Sequence, residues 1–384
     1  MPRPVDHSAL MWNASEKHPQ AAGPSRHESL WPATSQMPVH SPLRRDVRAD
    51  VCIVGAGIAG LTTAYLLTRA GKSVVILDDG KLAGGMTSAT TAHLTSALDD
   101  RYFEIERLHG AEGARLAAES HMAAIDRIEA IVREERIPCD FERLNGYLFL
   151  SPGQGTELID RELAAAQRAG LHGVARIDRA PLDLFDTGPC LRFPYQAQFH
   201  PLKYLAGVAN AIQRDGGLIF TDSHADRIEG GTPAEIAVGD RTVTAGAVVV
   251  ATNAPINDLV AIHTKQAPYM SYVIGARVPR GAVNKALYWD TQESYHYVRL
   301  HGVDDEHEIL IVGGEDHKSG QADDTAERHA RLEAWARERF PQMQQIEYLW
   351  AGQVMETIDG LAFIGRNPLD KDNVFVATGE SVMG

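Results

Sequence analysis

The strongest constraint on this chain lies in residues 49–79. They begin Ala49-Asp50-Val51-Cys52-Ile53-Val54-Gly55-Ala56-Gly57-Ile58-Ala59-Gly60 and end Val74-Val75-Ile76-Leu77-Asp78-Asp79. The short β-branched run Val51, Ile53, Val54 suits a buried parallel strand. Gly55, Gly57 and Gly60 have the spacing of a turn that closes tightly, lets backbone amides approach a pyrophosphate, and packs the next helix against the strand. A helix over Ile58 to Ala70 points its positive end at that turn. Gly71 stops it, and Ser73 to Leu77 form a second strand. Asp78 then stands where a carboxylate accepts hydrogen bonds from ribose hydroxyls. Strand, turn, helix and acid in register predict a dinucleotide site. The alternative is a glycine-rich turn in an unrelated α/β domain.

With 384 residues, the chain is long enough for two domains or one two-lobed unit. Its formal net charge of −14 opposes nucleic acid or an anionic membrane surface as a partner. No apolar stretch approaches the roughly 18 residues of a membrane span. The N-terminus lacks a basic-then-apolar export pattern. Cys52, Cys139 and Cys190 show no close pairing, which points to a reducing compartment and a cytoplasmic location. None has metal-ligand spacing, so no metal site is expected.

The pattern divides the chain into six segments. Residues 1–45 read as an irregular N-terminal arm, disordered at its start. Residues 46–100 form the first part of the nucleotide-binding lobe. Residues 101–200 are a helical and mixed segment shared between lobes. Residues 201–262 return to the nucleotide lobe, with a hairpin turning at Gly239-Asp240 and the buried strand Ala247–Ala251. Residues 263–352 carry alternating patterns in Tyr269–Val278, Tyr295–Leu300 and Ile309–Gly313, as in an antiparallel sheet with one covered face. Residues 353–384 rejoin the first lobe through the strand Val374–Thr378. The fold class is therefore α/β in two lobes: a Rossmann-like lobe interrupted by an antiparallel-sheet lobe.

Further motifs follow in order: Gly84-Gly85-Met86-Thr87-Ser88-Ala89-Thr90-Thr91-Ala92-His93, Ala251-Thr252, Thr357-x-Asp359-Gly360-Leu361-x-x-Ile364-Gly365, and Phe375-Val376-Ala377-Thr378-Gly379. Over about residues 45–384 this set resembles the FAD-dependent oxidoreductases of the D-amino-acid oxidase/glycine oxidase (DAO) superfamily. Arg192-Phe193-Pro194, His200-Pro201 and Gly313–Lys318 resemble a bacterial branch that often carries a C-terminal Rieske domain. The resemblance implies noncovalent FAD. Gly55, Gly57 and Gly60 would hold its pyrophosphate and Asp78 its ribose. Thr87, Thr90, Thr91, Ala92 and His93 would pass along the flavin ring, with Thr252 and Gly379 also at the cofactor. Without the preceding motif, residues 87–93 would read as a Ser/Thr-rich surface loop. The implied reaction oxidises a C–N bond of an amine or amino-acid-like substrate by hydride transfer to flavin N5. The implied partners are that small molecule and an electron acceptor, possible as a Rieske module outside this chain.

Departures from the family pattern refine this expectation. Val354 stands where relatives place an Arg that clamps a substrate carboxylate, so an amine lacking that group is favoured. Arg277 and Arg299 are alternative clamps, though strand arginines more often face solvent. Leu310-Ile311-Val312 lacks the Lys that activates oxygen in some relatives. Gly352 replaces a Cys that binds flavin covalently. The chain ends at Gly384 where relatives continue into a helix, which suggests truncation.

Tyr295, Tyr297 and His317 are the catalytic candidates. The two tyrosines would form an aromatic cage for a cationic amine; otherwise they are alternating strand positions. Other readings are an inactive flavin-binding module that keeps the fold, and an NAD-dependent dehydrogenase. The latter is disfavoured because the Thr-rich and C-terminal motifs would have no role in it.

Overall fold

The computed structural model describes residues 28–256 and 262–379. The first part of the expected arm and residues 380–384, where the truncation was inferred, lie outside the described residues.

A one-turn helix, α1 (Leu30–Ala33), precedes the nucleotide unit, which comprises β1 (Val47–Val54), α2 (Ile58–Arg69) and β2 (Val74–Leu77). A 3-10 turn at Met86–Ala89 and the short β3 (His93–Leu94) follow. Next come α3 (Tyr102–Glu135), β4 (Glu142–Phe149), α4 (Glu157–Arg168), β5 (Ala175–Ile177), β6 (Cys190–Gln198) and α5 (Pro201–Arg214). The chain then forms β7 (Leu218–Phe220), β8 (Arg227–Glu229), β9 (Ala234–Val238) and β10 (Arg241–Val250). The second half holds β11 (Gln266–Pro279), β12 (Leu287–Asp290), β13 (Tyr297–Gly302), β14 (His307–Lys318), α6 (Thr325–Arg339), β15 (Ile346–Thr357), β16 (Phe363–Arg366) and β17 (Val374–Thr378).

The first sheet runs β16-β17-β10-β1-β2-β7, with β9 and β8 branching from β10. β1 lies parallel to both β2 and β10, and β17 lies parallel to β10. The chain leaves β1 toward β2 on one side and returns through β10 on the other. The carboxyl ends of β1 and β10 therefore flank a crevice at the switch point, the usual ligand position in such sheets. The hairpin at Gly239-Asp240 forms as expected, pairing Val238 with Arg241.

The second sheet runs β15-β11-β14-β13-β12-β4-β6-β3, with β5 on β6. It is antiparallel except where β12 pairs with β4. The expectation of one covered face is corrected: both faces are buried. Tyr272, Ile274, Leu310 and Val312 pack under α6 with Leu332 and Ala336. Val273, Ile309 and Ile311 on the opposite face join Ile53, Leu61 and Ile76 of the first lobe. The sheet is a middle layer, so consecutive residues along β11 and β14 are apolar. β15 also runs to Thr357, past the lobe boundary expected at 352.

Within the arm, Leu30 and Trp31 are fully buried in the first core cluster. One further expectation is corrected. Arg299 does not face solvent; it is 1% exposed. Arg277 is partly covered and pairs with Glu347 through Nε at 2.5 Å. Neither arginine lines the cleft described below.

Candidate active site

The glycine turn is built by contact. Gly55 has φ +104, and a Cβ there would lie 2.2 Å from the Ala251 carbonyl oxygen at the end of β10. A Cβ on Gly60 would lie 1.9 Å from the Gly55 carbonyl oxygen, so only glycine lets α2 approach the turn. At Gly57 the obstruction would be Thr87 Oγ1, at 2.9 Å. That hydroxyl accepts from the Ile58 amide at 3.2 Å, at the positive end of α2.

Asp78 leaves the end of β2 and is pinned by two amides. Ala56 N donates to Oδ2 at 2.6 Å and Gly80 N to Oδ1 at 2.9 Å. Burial raises its pKa, and those two hydrogen bonds oppose the rise. Each carboxylate oxygen can still accept a further hydrogen bond.

These groups border one cleft of about 550 Å³. It runs from Asp78 past Gly55 and Gly57, along Thr87, Thr90, Thr91, Ala92 and His93, to Ser271, Tyr297 and Val354. Thr252 lines it from the end of β10, its hydroxyl donating to the Ala254 carbonyl at 2.7 Å. Gly60 acts behind the lining through packing. Gly379 is outside the lining; a Cβ there would meet Thr357 Cγ2 at 2.3 Å.

His93 is held beside the cleft by Thr91 Oγ1, 3.1 Å from Nδ1, while its buried Nε2 has no partner. Burial, then the charge of Arg299, pushes its pKa down to about 3, so the ring is neutral. It stands edge-on to Tyr297 with centroids 5.6 Å apart.

The catalytic candidates separate. Tyr297 lines the cleft, with its hydroxyl 2.6 Å from Ser271 Oγ. Tyr295 does not line it but stacks at a tilt behind Tyr297, 5.5 Å away, and donates to Asp99 Oδ2 at 2.8 Å. His317 is also outside the lining and stacks on Tyr272 at 5.8 Å. Tyr272 packs under α6, which accounts for that placement.

The sequence reading missed Ser271 and Asp99; Asp316, beside the candidate His317, was weighed there only against a polar turn. Burial pushes Asp99 up to about 7 against its Tyr295 bond, and Asp316 up to about 6 against Ser271. Glu356 is pushed up to about 7 by burial and then by Asp100 and Asp316. Trp31 was missed as well; a large apolar residue in a Pro/Ser-rich arm was its only signal.

The residues fit FAD. The glycines leave room for a pyrophosphate at a helix N-terminus, Asp78 supplies a ribose acceptor, and the same cleft is lined by residues 87, 89–93 and Tyr297. A profile of the FAD dependent oxidoreductases (DAO) matches residues 50–384. The chain belongs to this family. It is an FAD-dependent oxidoreductase.

Among relatives of this oxidoreductase is a Bacillus subtilis protein named as a Rieske 2Fe-2S iron–sulfur protein, YhfW. It is 30% identical over 354 residues, covering 92% of this chain and 69% of that protein. Gamma-glutamylputrescine oxidoreductase of Escherichia coli is 24% identical over 89% of this chain and 81% of its own. Glycine oxidase of Geobacillus kaustophilus shares the fold, with a TM-score of 0.73 at 19% identity over 88% of this chain and 90% of that one. Among the described residues no helix is long and apolar enough to cross a membrane, and no three side chains form a metal-ligand group.

Proposed function

We propose that this DAO-family enzyme oxidises the C–N bond of a primary or secondary amine that carries no α-carboxylate. The observation that carries this reading is the end wall of the cleft: Tyr297 backed by Tyr295 and Asp99, with apolar Val354 in the lining. Tyr297, the tyrosine that lines the cleft, offers an electron-rich face to a cation. Among the described residues, those that flank Val354 in the lining, Gly352 and Gln353, offer no cation to a carboxylate substrate. The name of the gamma-glutamylputrescine oxidoreductase relative is in keeping with an amine substrate.

When bound, FAD would supply the electron sink for a hydride leaving the carbon next to the substrate nitrogen. The protein's part would be to hold the amine against Tyr297 and to exclude water. Burial, then Asp316, raises the Tyr297 phenol well above its ordinary value. It therefore stays protonated and positions the substrate by hydrogen bonding rather than acting as a base.

An electron acceptor other than oxygen is in keeping with one stretch of β14. Leu310, Ile311 and Val312 are all buried apolar positions, with no lysine ammonium in that stretch of β14. A relative named as a Rieske protein makes an iron–sulfur partner the class to test first. The free, buried cysteines 52, 139 and 190 are in keeping with a reducing, cytoplasmic setting.

Anaerobic mixing with a panel of alkylamines, N-alkylamines and α-amino acids tests the reading. Bleaching of the flavin band by amines, with α-amino acids inert, is expected. Bleaching by α-amino acids alone would overturn it.

A further inference from the structure

Five consecutive carbonyls, Ser88 to Ala92, are taken by side chains from distant parts of the chain. The Ser29 hydroxyl donates to Ser88 O. Trp350 Nε1 donates to Ala89 O at 2.8 Å, and Trp31 Nε1 to Thr90 O at 2.6 Å. Arg299 Nη1 donates to Thr91 O at 3.0 Å and to Ala92 O at 2.7 Å. The arm, β13 and β15 therefore all converge on one strip of backbone.

The layer is continuous. The Arg299 guanidinium lies 5.4 Å over the Trp31 ring. His200 and His301 meet the indole edge-on at 4.9 and 5.4 Å. Burial lowers His200 to about 4 and His301 to about 3, so they add no charge to that of Arg299.

A trans peptide sets its N–H opposite its C=O. Carbonyls drawn inward at Ala89 and Thr90 turn the amides of Thr90 and Thr91 outward, and both residues line the cleft. Amide dipoles fixed this way favour negative charge placed against them. Two-electron reduction makes a flavin more electron-rich, so the array favours the reduced state.

We propose that the arm residues Ser29 and Trp31 belong to the cofactor site: with Trp350 and Arg299 they hold the Ser88–Ala92 carbonyls inward, aim the Thr90 and Thr91 amides at the bound flavin, and raise its midpoint potential. These are positioning residues, since they act through the backbone strip. The inference rests on FAD occupying the cleft and is independent of which amine is oxidised.

The test compares the FAD-loaded parent with W31F and W350F, which keep an aromatic ring and lose the donor, and with R299M. Midpoint potential, visible spectrum, FAD dissociation constant and melting temperature are measured on each. In W31F, loss of one hydrogen bond lowers the preference for reduced flavin about tenfold, a fall of about 30 mV for a two-electron couple. W350F falls in the same direction, and R299M falls further if it folds. FAD binding weakens in parallel. A W31F protein with the parent's potential and spectrum but a lower melting temperature would show a mere structural brace and overturn the proposal. A parent that takes up no FAD would overturn both this inference and the flavin premise. A parent that takes up FAD yet is reduced by no amine would sink only the proposed substrate class.

Discussion

The hydroxyl of Tyr297 lies 2.6 Å from Ser271 Oγ, joining β13 to β11 across the end of the cleft. Both residues line the cleft, so this pair defines where the substrate wall begins. Y297F keeps the ring and removes the hydroxyl. It should retain FAD and lower kcat/KM for amines about tenfold, the worth of one positioning hydrogen bond. Stopped-flow flavin reduction measures this, and an unchanged reduction rate would exclude a role for the hydroxyl.

Asp99 gives a pH-dependent prediction. Its carboxyl ionises near 3.8 when exposed and near 7 in the folded protein, chiefly because burial disfavours the charge. A raised folded pKa means the native state keeps a proton that the unfolded chain has lost. Stability from this group is therefore greatest at low pH, declines between about 4 and about 7, and is level above that. D99N removes the titration. The gap in melting temperature between D99N and the parent should shift in favour of the variant from pH 5 to pH 8. Parallel melting curves over that range would count against the raised pKa.

Gly57 separates binding from folding. A Cβ there meets a hydroxyl oxygen at 2.9 Å, whereas at Gly60 it would meet backbone at 1.9 Å. G57A should fold with the parent's circular dichroism yet take up little FAD, because Thr87 or the pyrophosphate must yield. G60A should lose stability as well. Visible absorbance after FAD loading, set beside the melting temperature, distinguishes the two; a G57A protein as yellow as the parent would refute the cradle.

Val354 is the specificity prediction. It lines the cleft and pairs with Tyr269 across β15 and β11. V354R places a guanidinium at the substrate end, where it can take a carboxylate in two parallel hydrogen bonds. The ratio of flavin reduction rates, amino acid over amine, should rise by at least about tenfold. No change in that ratio would show that residue 354 does not face the substrate.

Much of the nucleotide lobe was legible because its signals are local. Gly55, Gly57, Gly60 and Asp78 lie within one βαβ unit; Gly55, Gly60 and Asp78 are dictated by contacts inside that unit or with the segment at the end of β10, and Gly57 by Thr87 just beyond it. Residues 87–93 were assigned to the cofactor by resemblance to relatives, since short Thr and Ala side chains carry no distinctive pattern. Tyr297 was named without a means of separating it from His317. Their separation depends on which face of the middle sheet each ring joins, and both faces proved to be covered.

By itself, the sequence determined a parallel βαβ nucleotide fold with a β-rich insertion, because hydrophobic periodicity and glycine spacing act over a few residues. Only the tertiary structure decided that Arg299 is a buried cation, that Trp31 braces Thr90 across 59 positions of chain, and that Asp99 stands behind Tyr295. Burial of a charge depends on what the rest of the chain stacks around it, and no local pattern records that.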